Sequence, residues 1–210
     1  MPETYTAFFY GTLLHPKILQ GVIGHPGQDL QICPALILEH TRHQIKHADY
    51  PAMLPYTQSS ALFSQELKVD DRTVRGTLVK GLSDSDIALL DQFEGDEYTL
   101  EKVQVHPLKP FKPLSSSSPN DIPLDPPPLP PLDELPAPIE AKTYIWAGKL
   151  SDLRPDLWEY ADFMRYNAAK WIKDTNPVAA EHQRGIDGTH TVTKEIIVTD
   201  EGKQVKVTIE

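Results

Sequence analysis

The sequence has a single cysteine, Cys33, in 210 residues. A lone cysteine excludes an intrachain disulfide and any zinc or iron–sulfur site built on several thiolates. It reads as a small buried apolar residue. Positive charge is also scarce. Against 30 Asp+Glu stand 20 Lys+Arg, for a net charge of −10 with histidine neutral. That balance argues against a nucleic-acid binder held by phosphate contacts and against a polybasic membrane anchor. No apolar run approaches the ~18 residues of a membrane span. The start, Met1-Pro2-Glu3-Thr4-Tyr5, lacks the basic region of a secretory signal, and there is no Asn-x-Ser/Thr sequon. The expectation is a soluble, cytoplasmic protein that takes neither nucleic acid nor membrane. Serine-nucleophile and nucleotide motifs are missing too: no G-x-S-x-G, no Walker A, no G-x-G-x-x-G.

What is present is a core's worth of apolar residues, 40% of the chain, and one loud bias. Of 20 prolines, 12 fall between Pro107 and Pro138. That stretch holds Ser115 to Ser118 and no glycine. It lacks the backbone donors for helix or sheet and is expected to be PPII-like or disordered. A tolerated surface insertion is the plain reading; a docking segment for a proline-reading partner is the other.

On either side of this tract the pattern is continuous. Tyr5 to Tyr10 is β-prone. His15 to Ile23 carries Leu14, Ile18 and Val22 at helical spacing, with Pro16 suited to a first turn. Leu30 to Ile45 reads as one or two strands and Val74 to Val79 as another. Ser83 to Phe93 reads as a helix, with Ser83 and Asp86 as a capping box and Gly95 as its stop. Tyr98 to His106 is a strand whose apolar parity switches between Leu100 and Val103, which a β-bulge would explain. Ala141 to Ala147 is a further strand. Pro155 to Trp171 reads as a helix with Leu157, Tyr160, Met164 and Trp171 on one face. Thr191 to Glu210 reads as a hairpin around Asp200-Glu201-Gly202. Strands outnumber helices without strict alternation, so the expected class is α+β with a curled sheet.

Two places stand out for chemistry. Tyr10-Gly11-Thr12-Leu13-Leu14 is a strand running through glycine into a helix, which leaves N–H groups free to hold an anion such as a carboxylate. A plain strand-to-helix turn fits the same residues. The second is Glu94. It lies seven residues after Ile87, about 20° away on a helix of 3.6 residues per turn. That puts a carboxylate on the apolar arc of Ile87, Leu90 and Phe93. Burial and the helix C-terminus would both raise its pKa, as a general base near neutral pH requires. A frayed last turn with Glu94 in solvent is the competing reading. His40, His43 and His47 have a spacing that zinc can use, but in an extended segment they read as surface histidines. Trp146, Trp158 and Trp171 are expected in the core or on a pocket wall.

These residues resemble a known family. AFFYGTLL is similar to the Tyr-Gly-Ser/Thr-Leu segment of the γ-glutamylcyclotransferase-like proteins, the AIG2-like branch in particular. VRGTLV, LDQFEGDEYTLEKVQV and TYIWAG resemble later segments of that family, in family order, over residues 5–107 and 141–172. The resemblance implies a small mixed β-barrel flanked by helices, at 1–106 and 139–175; the proline-rich insertion at 107–138 and the added hairpin at 176–210 depart from the family pattern. It implies an acyltransferase that cyclises a γ-glutamyl group to 5-oxoproline and releases an amine. The loop Tyr10-Gly11-Thr12-Leu13, extended to Leu14 and His15, would bind the γ-glutamyl moiety, and Glu94 would be the catalytic base. Tyr98 is placed either on the pocket or in the core. The substrate supplies its own nucleophile, so no metal or organic cofactor is expected. A binding module without catalysis, and a hydrolase releasing glutamate, are the other readings of the same pocket.

Overall fold

The computed structural model describes residues 3–174, 195–200 and 203–208. In chain order the strands and helices begin β1 (Tyr5–Phe9), a 3-10 turn at Thr12–Leu14, α1 (Pro16–Ile23), β2 (Gln31–Leu38), β3 (His40–Ile45), β4 (Pro51–Pro55) and α2 (Tyr56–Ser59). They continue with β5 (Thr73–Leu82), α3 (Asp84–Glu94), β6 (Tyr98–Pro107), β7 (Lys112–Pro113), β8 (Ile139–Trp146) and β9 (Leu153–Leu157). The last are α4 (Tyr160–Tyr166), α5 (Ala168–Asp174), β10 (Glu195–Asp200) and β11 (Lys203–Thr208).

Five strands close on themselves in the order β5-β1-β8-β6-β2, with β2 returning to β5. Closure rests on long antiparallel ladders: Ala35 faces Gly76 and Ile37 faces Val74 across β2 and β5. The β1–β8 seam is the parallel one, with Ala7 opposite Lys142. It is thin, and the Thr143 hydroxyl reinforces it by donating to the Phe8 carbonyl at 2.8 Å. The result is a closed, mixed, five-stranded barrel. Alternate side chains of these strands, among them Phe8, Cys33, Ile37, Leu78 and Ile145, fill its interior. The opposite faces carry Ala7, Phe9, Ile32, Val79 and Tyr144, packed beneath Ile18 and Leu19 of α1 and Leu90 of α3. β1 and β2 therefore bury both parities, which is why their sequences read as near-continuous apolar runs.

Several local expectations are corrected. β6 pairs β8 in unbroken register from Tyr98–Trp146 to Val105–Ile139, so there is no bulge at the parity switch. Tyr98 and Leu100 lie on the outer face with the helices, whereas Val103 and Val105 lie on the inner side. Alternation holds; only the covered face changes along the strand. The helix expected from Pro155 begins instead at Tyr160. Residues 153–157 pair with β3 at the edge of a second sheet, β4-β3-β9, a position where proline's missing N–H is tolerated. A break at Asn167 then separates α4 from α5. His43 is not a surface residue. It is fully buried, with Nδ1 2.9 Å from the Arg154 carbonyl and Nε2 2.8 Å from the Thr41 hydroxyl. His47 is exposed and His40 half-buried.

The proline-rich tract forms no α-helix, and Pro131 (φ −51°, ψ 137°) and Leu135 (φ −65°, ψ 136°) have polyproline II angles. It is not a disordered loop throughout, however. β7 extends the edge of β2, with Ile32 opposite Lys112. The Leu114 N–H donates to the Leu30 carbonyl at 2.8 Å, and the Leu114 side chain is fully buried. One anchoring leucine supplies the apolar burial that the surrounding prolines and serines lack. Of the expected C-terminal hairpin, β10 and β11 pair antiparallel from Glu195–Thr208 to Asp200–Lys203; 175–194, 201–202 and 209–210 lie outside the described residues.

Candidate active site

The site grows from the end of β1. Tyr10 is the first residue beyond the strand, and its hydroxyl donates to the Tyr144 carbonyl at 2.6 Å. Its own carbonyl accepts from Arg42 Nη1 at 2.7 Å. Arg42 also donates through Nε to the Trp158 carbonyl at 3.1 Å and lies 4.8 Å from the centre of the Trp158 ring. Burial lowers the pKa of this guanidinium to about 10, with Glu159 and Tyr10 opposing the shift. It stays charged at neutral pH and clamps the strand end.

The chain then turns through Gly11. A Cβ there would lie 3.0 Å from the Pro51 ring, so any larger residue would press on that ring where the two segments approach. The 3-10 turn that follows is closed by Leu14 N–H to the Gly11 carbonyl and by His15 N–H to the Thr12 carbonyl, each at 3.1 Å. The N–H groups of Gly11, Thr12 and Leu13 stand outside the turn's own hydrogen bonds, as at any helix start. Pro51 in turn accepts from the Tyr98 hydroxyl at 2.9 Å. The loop, β4 and the start of β6 are thereby held in one register.

Glu94 is the last residue of α3. That helix starts in a true capping box: Ser83 Oγ accepts from Asp86 N–H at 3.2 Å, and Asp86 Oδ2 accepts from Ser83 N–H at 2.8 Å. It stops at Gly95 (φ 68°). Between those ends the arc of Ile87 and Leu90 is buried, and Glu94, on the same arc, is half-buried.

One cleft, open at its mouth, is lined by Tyr10, Gly11, Thr12 and Leu13 from the loop and by Glu94 from α3. Phe8, Phe9, Tyr98 and Tyr144 form its barrel side, and Tyr50, Pro51, Phe93 and Trp171 complete it. Three tyrosine hydroxyls feel the Glu94 charge. Burial chiefly, and that carboxylate in addition, raise the pKa values of Tyr10, Tyr98 and Tyr144. The Tyr144 hydroxyl also donates to Asp91 Oδ1 at 2.8 Å. The tyrosines are neutral donors in this site, and each holds a neighbouring segment in place.

Of the residues singled out in the sequence, the cleft thus brings together Tyr10, Gly11, Thr12, Leu13 and Glu94. Leu14 and His15 do not line it. Leu14 is in the core, and His15 is buried at the start of α1, where burial first and then Lys17 lower its pKa. Tyr98 is both buried and on the cleft. Trp171 is the tryptophan on the wall; Trp146 and Trp158 pack in the core. Tyr50, Phe93 and Tyr144 were not foreseen. Phe93 had a usable signal, since it directly precedes Glu94. Tyr50 had none, because it reaches the cleft from a loop between β3 and β4. Among the described residues there is no group of three metal-ligating side chains and no helix long and apolar enough to cross a membrane.

The profile of the family described as gamma-glutamyl cyclotransferase, AIG2-like, matches residues 7–165. The chain belongs to that γ-glutamyl cyclotransferase, AIG2-like family. Among its relatives is "AIG2-like protein D" of Arabidopsis thaliana, 26% identical over 180 residues that cover 84% of this chain and 90% of the relative. "Protein AIG2 C" of the same plant is 19% identical, over 82% of this chain and 79% of the relative. Similar solved structures include an Arabidopsis thaliana protein determined in solution, with TM-score 0.48 and 18% identity over 82% of this chain and 80% of that one. A yeast γ-glutamyl cyclotransferase specific to glutathione has TM-score 0.44 and 14% identity over 68% of this chain and 69% of that one.

Proposed function

We propose that the protein is a γ-glutamyl cyclotransferase. It closes a γ-glutamyl group to 5-oxoproline and releases the attached amine. The observation that carries this reading is the meeting of the Gly11–Leu13 loop and Glu94 in one cleft. The backbone donors of that loop hold the anionic groups of the glutamyl moiety and the oxyanion that develops on its γ-carbonyl. Glu94 takes a proton from the α-ammonium, which frees the amine to attack. The new bond joins the α-nitrogen to the γ-carbonyl carbon; the bond that breaks joins that carbonyl carbon to the departing nitrogen. Two protons leave the α-nitrogen in all, and both end on the departing amine. No water is consumed. The cleft contributes mainly by holding the extended glutamyl chain folded back on itself, in a pose near ring closure.

This chemistry draws on a small cytoplasmic solute, and we place the protein in that compartment on the same reading. The test is mass-spectrometric detection of 5-oxoproline from a panel of γ-glutamyl amino acids, amines and glutathione, beside Glu94→Gln. Loss of an acid–base group of this kind costs about 10²- to 10⁴-fold in rate. Product from the parent and a fall of that size in the variant support the reading. Absence of product across the panel, with binding retained, leaves a ligand-binding module instead.

A further inference from the structure

The proline-rich tract is tethered to the barrel along its length. At its start, Lys112 pairs with Asp121 and the Leu114 side chain is buried. In its middle, Arg75 of β5 donates through Nη2 to the Pro127 carbonyl at 2.7 Å. Near its end, His106 of β6 donates through Nδ1 to the Pro136 carbonyl at 2.7 Å. Around the middle tether, residues 126–131 run without turn or bend. Five of these six residues are proline, which fixes φ at about −65°. The sixth, Leu129, precedes a proline and is confined to extended backbone. The run is therefore a polyproline II helix of two turns, about 19 Å long.

Residues three apart share an edge of such a helix. Pro128 and Pro131 make one edge, and both are exposed, whereas Leu129 and Pro130, on the other two edges, are half-buried. Leu132, the next residue, is 51% exposed. The fold thus presents one proline edge outward. Charge is one-sided here as well. Residues 114–141 contain no lysine, arginine or histidine, and the exposed Asp133 and Glu134 follow Leu132 directly.

We infer that the Pro128–Pro131 edge is a docking site for a polyproline-reading domain of the WW type, with an aromatic-lined groove rimmed by lysine or arginine. The exposed rings supply the apolar contact such a groove takes. Little chain freedom is lost on binding, because the proline rings and the tethers have already fixed the ligand. The basic rim meets Asp133 and Glu134. A groove of the SH3 type with an acidic rim, which pairs with a ligand lysine or arginine, finds none in the tract and meets two carboxylates instead. This inference is independent of the reaction proposed for the cleft.

The experiment titrates the full chain into nitrogen-15-labelled WW domains with basic-rimmed grooves, and into an SH3 domain with an acidic rim, followed by amide shifts at low and at physiological salt. Saturable binding is expected in the aromatic groove of a WW domain, weaker at the higher salt and about tenfold tighter than to the SH3 domain. The double variant Pro128→Ala, Pro131→Ala should weaken it about tenfold, with the fold checked by circular dichroism. The double variant Asp133→Lys, Glu134→Lys keeps every proline ring, and should weaken binding by a similar factor and abolish its salt dependence. Leu150→Ala, at an exposed leucine outside the tract, should leave it unchanged. No saturable binding by any of the WW domains overturns the inference. So does binding indifferent to either double variant, or binding to the SH3 domain that is as tight.

Discussion

At the scale of single residues, the site depends on close approaches that admit little change. Gly76 faces the barrel interior, and a Cβ there would sit 2.2 Å from the Phe9 carbonyl oxygen and 2.6 Å from the Phe8 ring. The first neighbour is backbone, one residue before Tyr10, and cannot swing aside. Gly76→Ala should lower stability by about 1–3 kcal/mol, the range for overpacked cores, read as a lower urea midpoint with unchanged slope. Tyr10→Phe removes the buried 2.6 Å hydrogen bond to the Tyr144 carbonyl. It should cost about 1–3 kcal/mol. The position of Glu94 on the cleft was legible at this scale, because a carboxylate on an apolar arc violates the helix's own pattern. The aromatic wall was not legible. Tyr50 and Trp171 follow no local rule, and only the fold brings them to Glu94.

Elements were legible where local chemistry decides them. α3 is specified twice, by the Ser83–Asp86 box at its start and by Gly95 at its end, so sequence and structure agree to within a residue. The same box makes a pH prediction. Asp86 is buried, which opposes ionisation, but the Ser83 backbone N–H and His25 (Nε2 2.8 Å from Oδ1) outweigh burial and hold its pKa below 3.8. A carboxylate with a depressed folded pKa contributes stability that is fully present above its unfolded value and is lost as pH falls through the folded one. Asp86→Asn should therefore flatten the acid limb of a stability-versus-pH curve below about pH 4, and lower the plateau above it. Ser83→Ala should cost about 1 kcal/mol, more above about pH 4 than below it, because the Ser83 hydroxyl also donates to the ionised Asp86 Oδ2 at 2.9 Å. β9 was misread because Leu157 fits the periodicity of the helix after it as well as a strand. Pairing with β3, a partner more than a hundred positions away in sequence, made the choice.

For the whole molecule, barrel closure was beyond local reading. The parallel seam joins Ala7 to Lys142 across the proline-rich tract, and nothing in either segment names its partner. The resemblance to known barrels supplied that link. The tract itself is joined to the barrel through Leu114, whose side chain is fully buried. Leu114→Ala should destabilise the entire fold by about 2–5 kcal/mol, measured as a single shifted unfolding transition. A transition that does not move would mean that the tract is energetically independent of the barrel.

In the proposed chemistry a γ-glutamyl group attacks itself within the cleft made by Glu94 and the Gly11–Leu13 loop. Turnover of a γ-glutamyl amide in water enriched in oxygen-18, analysed by mass spectrometry, tests it most directly. Intramolecular attack gives unlabelled 5-oxoproline in equal amount to the released amine, from the parent and not from Glu94→Gln. Labelled glutamate in place of 5-oxoproline would contradict it, because water would then be the nucleophile.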